Sequence, residues 1–182
     1  MSEVADRYRR LGEEFIVAVR VVPADRWASP SPCEEWTALG VVEHVANVQG
    51  LFRPFVGLEP VTIPPVAEDP ERALRTAFDS VTVVLDDPTL ATQTFDGMFG
   101  PSTFESAIDR FACFDLVVHR WDLARATGGD ETIDPVDAER VIAGASAFGP
   151  ALRSPGVCGP EVSVAPDADA PTRMLGLLGR QV

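Results

Sequence analysis

Apolar runs of helical period, opened by helix-capping residues and closed by proline or glycine, divide this 182-residue chain into segments. A stripe that returns every three or four residues must be buried against another such stripe, which directs the chain to an all-α fold. The spacing predicts a first helix from about Ser2 to Val22, with Val4, Tyr8, Leu11, Phe15, Val19 and Val22 inward and Pro23 as its stop. Thr37 predicts the N-cap of a second helix, Ala38 to Phe52, with Val41, Val45, Val48 and Phe52 inward. Asp69-Pro70-Glu71 starts a third, with Leu74, Phe78, Val81 and Leu85 inward, before Asp86-Asp87-Pro88 ends it. Ser102-Thr103-Phe104-Glu105 has the capping-box pattern and starts a fourth, which Gly128-Gly129 closes. Asp134-Pro135 opens a fifth that ends near Gly149-Pro150, and a last short helix runs from Asp169 to its stop at Gly179.

Between these lie the connections. Pro54 to Glu68 is proline-rich and reads as a loop crossing the bundle. Thr89 to Pro101, with Phe95, Met98 and Phe99, reads as a short extended pair or a lid. Val162 and Val164 alternate as in a short strand. With no repeat and no second apolar core, residues 1–182 read as a single domain.

The charge balance narrows function. A net charge of -13 would repel nucleic acid and an anionic membrane, so neither is expected as a partner. Every basic residue is arginine, which excludes Schiff-base lysine chemistry and a phosphate-loop lysine. The amphipathic N-terminus lacks a signal-peptide core, and no apolar run reaches the length of a membrane span. Cys33, Cys113 and Cys158 form no CxxC pair and read as reduced thiols of a cytoplasmic protein.

The fourth helix carries the chemistry. Asp115 and His119 are four residues apart, so they stand one turn above each other on one face. Ile108, Ala112, Asp122 and Ala126 share that face, which makes it the apolar one. A carboxylate and an imidazole on a buried stripe need partners. The only other histidine, His44, lies at the edge of the second helix's inner stripe. Two readings follow: an ordinary ion pair with a hydrogen-bonded core histidine, or His44, Asp115 and His119 meeting around one metal ion. Two histidines and one carboxylate leave a coordination position open, as in catalytic zinc sites, and the same set suits Fe(II) or Ni(II). Asp122 is placed either to orient a ligand imidazole or to bond a neighbouring loop. Trp36 either lines a pocket mouth or covers the bundle end, and Trp121 faces away towards the fifth helix. No spacing argument places Cys33, which reads as an inert thiol. No general base is assigned.

Two stretches carry a resemblance: PCEEWTALGVVEHVANVQGLF, and VVHRWDLARATG in the fourth helix. Together they resemble the mycothiol-dependent maleylpyruvate isomerase N-terminal family, within the DinB-like metal-binding proteins of actinobacteria. The resemblance implies a DinB-like antiparallel four-helix bundle with long crossovers and short C-terminal additions. It implies a divalent metal, zinc first, held by a histidine of the second helix and a carboxylate-x-x-x-histidine pair of a later one. Those positions are His44, Asp115 and His119. The family carboxylate is usually glutamate, so Asp115 is shorter by one methylene, and Arg120 stands where relatives often have glycine. The family isomerase has a C-terminal domain contributing to activity, for which this chain has little room. The implied partners are mycothiol or another small thiol and an electrophilic substrate, in an S-transferase or isomerase reaction; a homodimer is an option. A non-catalytic metal-binding module of the same fold, a sensor or interaction protein, is the alternative.

Overall fold

The computed structural model describes residues 2–34, 36–97, 100–154 and 156–182. They divide into two compact units, 1–130 and 131–182. The first is built on helices α1 (Glu3–Arg20), α2 (Ala38–Gly50) and α3 (Pro70–Leu85), and on a long composite helix. That composite joins α5 (Phe104–Ala107), a π-helical turn (Ile108–Ala112) and α6 (Cys113–Thr127). Helix α1 packs against α3 and α6, and α2 packs against the same two, so the four long elements enclose one core. A single-turn α4 (Pro88–Ala91) precedes the hairpin.

Local chemistry starts each helix where an unsatisfied backbone N–H meets a side-chain oxygen. Ser2 caps α1 by accepting from the Ala5 N–H at 3.2 Å, and Thr37 caps α2 by accepting from Gly40 at 3.2 Å. Asp69 accepts from Arg72 at 2.9 Å, with Pro70 at the first helical position where its missing N–H costs nothing. In the composite helix the cap is Thr103, which accepts from Ser106 at 3.3 Å. Ser102, the start of the expected capping box, stays in a strand.

The inner stripes are close to those expected. Tyr8, Phe15, Val41, Val45, Leu74 and Val81 are buried, whereas Val4, Val22 and Val48 are only half-buried. Truncating a wholly buried leucine such as Leu74 to alanine costs about 2–5 kcal/mol. Gly12 allows close approach of α1 to α3, since a Cβ there would lie 3.2 Å from the Phe78 ring.

The composite helix departs from the expected uninterrupted α-helix. The Cys113 N–H bonds back to the Ile108 carbonyl, one residue further than in an α-turn. The wide turn shifts the helical phase, yet Ile108 and Ala112 remain buried and Asp109 meets Arg7 of α1 at 2.7 Å. Long-range packing of this kind has no signature in the local sequence.

Strands β1 (Thr94–Gly97) and β2 (Gly100–Thr103) pair antiparallel, with Thr94 opposite Thr103. Phe95 stacks on Phe55, in the 3-10 turn Arg53–Val56, at 4.5 Å between centroids. The extended pair is thus present, while Met98 and Phe99 of the suggested lid lie outside the described residues.

In the second unit α7 (Pro135–Phe148) packs against α8 (Ala170–Leu177). Val162 and Val164 form no strand; the Val162 N–H donates to the Gly176 carbonyl of α8 at 2.9 Å, because a helix and no partner strand lies beside it. Among the described residues no helix is long and apolar enough to cross a membrane.

Candidate metal-binding site

His119 stands at the centre. It lies on α6 one turn after Asp115 and three residues before Asp122, while α2 supplies His44 from the facing helix. His44 Nε2 lies 3.5 Å from Asp115 Oδ2, and the two imidazole rings meet edge-on at 4.8 Å between centroids. One donor atom from each of His44, Asp115 and His119 falls within 4.8 Å of the others. The three residues singled out from the sequence therefore come together.

The two edges of the His119 ring see different surroundings. Its Nδ1 lies 2.9 Å from Asp122 Oδ2, and that carboxylate is 0% exposed. The Cys33 thiol donates to the same Oδ2 at 3.2 Å and lies 3.9 Å from Nδ1. Asp122 thus does both things that its position allowed: it orients the imidazole and bonds a loop. Burial by itself lowers the His119 pKa. Hydrogen bonds to Asp122 and Cys33, with the charges of Asp115 and Asp122, outweigh burial and raise it from 6.5 to about 10.

Cys33 is the residue that sequence reasoning left unplaced. The loop before α2 brings it in by folding on itself. The Trp36 N–H donates to the Cys33 carbonyl at 3.1 Å, the Ser31 N–H donates to the Trp36 carbonyl at 2.9 Å, and the Cys33 N–H donates to Ser31 Oγ at 3.2 Å. Pro30 and Thr37 close the loop as an isolated antiparallel bridge. The available signal was the cap itself: a loop pinned at Thr37 must lie at the end of the helix that carries His44. Cys113 and Cys158 are not disulfide-bonded and take no part in the cluster.

Trp36 takes the pocket role. Its ring lies 4.5 Å from that of His44 and 5.7 Å from that of His119, and it walls an open groove of about 550 Å³. Glu43, His44, Asn47, Val48 and Leu51 continue the lining along α2. The half-buried state of Val48 follows, since it faces the groove and not the core. Trp121, by contrast, is buried beneath Arg125, whose guanidinium lies 4.9 Å above its ring. Arg120 donates to the Asp130 carbonyl at 3.3 Å.

Residues 8–124 match the family described as Mycothiol maleylpyruvate isomerase N-terminal domain. The chain belongs to that family. Its mainly all-α, DinB-like fold is the family's, and the matched region contains Cys33, Trp36, His44, Asp115, His119 and Asp122. Two uncharacterised proteins from strains of Mycobacterium tuberculosis are each 30% identical over 151 residues, covering 82% of this chain and 81% of the relative. No solved structure matches the chain at a significant level.

Proposed function

We propose that this protein holds one divalent metal ion through His44, Asp115 and His119, in a DinB-like four-helix bundle. Zinc is the first choice and nickel or ferrous iron the alternatives. We propose further that it uses a low-molecular-weight thiol, mycothiol by the family's description, against a small electrophile in a transferase or isomerase reaction. The observation that carries the reading is the donor geometry around His119. Donors at about 2.0–2.2 Å from a tetrahedral ion stand about 3.3–3.6 Å apart. The 3.5 Å between His44 Nε2 and Asp115 Oδ2 fits that spacing before any ion is added.

The protein's own residues prepare the site. Asp122 engages Nδ1 of His119, which leaves Nε2 as the nitrogen free to ligate and fixes the ring's tautomer. Trp36 packs against both imidazoles. Three side-chain ligands leave a position for an exchangeable group, and one of the three, His44, also lines the open groove. A bound divalent ion would supply Lewis acidity, lowering the pKa of a coordinating thiol so that thiolate is available at neutral pH.

The test has two stages. Protein purified without chelator and without a nickel column should carry about one equivalent of divalent metal, and adding a small thiol to the Co(II)-substituted form should produce a sulfur-to-metal charge-transfer band. Turnover of an electrophile should then be lost in Asp115→Ala while the fold is kept. A Co(II) spectrum that saturating thiol leaves unchanged would favour a metal that only braces the bundle.

A further inference from the structure

We infer that the groove beside His44 takes a neutral or cationic electrophile with an apolar body and disfavours a dicarboxylate. This rests on the metal-and-thiol reading above and assigns the class of its second substrate. The family's name carries a substrate with two carboxylates. A site for such a dianion needs cations, since guanidinium is the usual partner that matches carboxylate geometry.

This groove offers none. Among the described residues no arginine lines it, and the chain has no lysine to substitute. Its ionisable lining residue besides His44 is Glu43, which is exposed at the rim. The nearby Arg53 is committed elsewhere, donating to the Glu59 carbonyl at 2.9 Å and the Ser80 carbonyl at 3.2 Å. Nor does the proposed ion leave surplus positive charge. Its two charges are matched by the carboxylates of Asp115 and Asp122, and a thiolate beside it would make the centre negative. Field from the rest of the molecule, at net -13, has the same sign.

The remaining walls select for something else. Trp36, Val48 and Leu51 present apolar surface, and Leu51 keeps 65% of its area exposed. Asn47, one turn beyond Glu43, supplies an amide that can donate to a carbonyl or ester oxygen. An unsaturated ester, ketone or aromatic electrophile suits this set, whereas its hydrolysed diacid does not. A doubly charged anion held about 6 Å from one carboxylate in a water-like medium is disfavoured about tenfold.

Unreactive probes of matched shape separate the cases. Dimethyl phthalate and phthalate are titrated into the full-length protein as purified, and amide shifts at Asn47 and the Trp36 indole report binding. The diester should bind at least about tenfold more tightly than the dianion at low salt. Glu43→Arg should narrow or reverse that ratio, and Leu51→Glu should weaken the diester. Phthalate binding as tightly as its diester, or neither probe shifting Asn47 and Trp36, overturns the inference. Chelator-treated protein should keep the preference or sharpen it. Protein that carries no metal as purified, yet shows the preference, would sink the metal reading while leaving this one standing.

Discussion

The two sides of His119 differ in the one property that decides what a polar cluster can do. Behind the ring, Asp122 is wholly buried and receives both the imidazole and the Cys33 thiol on one oxygen. In front, His44 and Asp115 keep 29% and 23% of their side-chain area exposed and stand 3.5 Å apart. A buried, fully engaged carboxylate is rigid and costly to alter. Half-exposed donors that are close but not in hydrogen-bond contact can accommodate a ligand that comes and goes. On the proposed reading the back of the ring orients it and the front exchanges ligand.

The largest expected effect breaks the front. Replacing His44 and His119 together by alanine removes two of three proposed ligands, and metal analysis should find no stoichiometric ion. Retention of a full equivalent in that variant would place the metal elsewhere. Next, Asp122→Asn removes the charge behind the ring while keeping its volume, so metal affinity should fall about 10–100-fold. A front-only site would leave the affinity of Asp122→Asn unchanged in a competition titration with a chromophoric chelator.

The pH dependence comes third. The folded pKa of His119 is raised, from 6.5 to about 10, so in metal-free protein the charged imidazole stabilises the fold fully below pH 6.5. That contribution is lost as pH rises through about 10. Metal must displace this proton, so apparent affinity should climb by about tenfold per pH unit between neutrality and pH 9. Competition titrations at three pH values would show the slope, and Asp122→Asn should flatten it by letting the pKa fall back. The smallest effect belongs to Cys33→Ala, which deletes one weak donor to Asp122 and should cost about 1 kcal/mol of stability. A loss in thermal unfolding as large as that of a buried leucine truncation would mean that Cys33 braces the whole back of the site.

Helix starts were legible because each is a local matter: Thr37, Asp69, Asp134 and Asp169 cap helices as their sequence context indicates. Where the local signals ran out, so did the sequence reading. The capping box placed one residue early at Ser102, the strand expected at Val162 and the uninterrupted helix over Ile108–Ala112 all gave way to packing partners distant in the chain.

The same boundary runs through the site. Spacing alone put Asp115 and His119 on one face of one helix, because four residues make about one turn. It also set His44 at the margin of the other helix's buried stripe. What only the tertiary structure decided is which side of the imidazole each neighbour takes. Cys33 reaches Asp122 across 89 residues of sequence through a loop whose fold depends on its own backbone hydrogen bonds. Periodicity describes a face within one element; it holds no information about which loop closes over that face, since that is settled by contacts between elements.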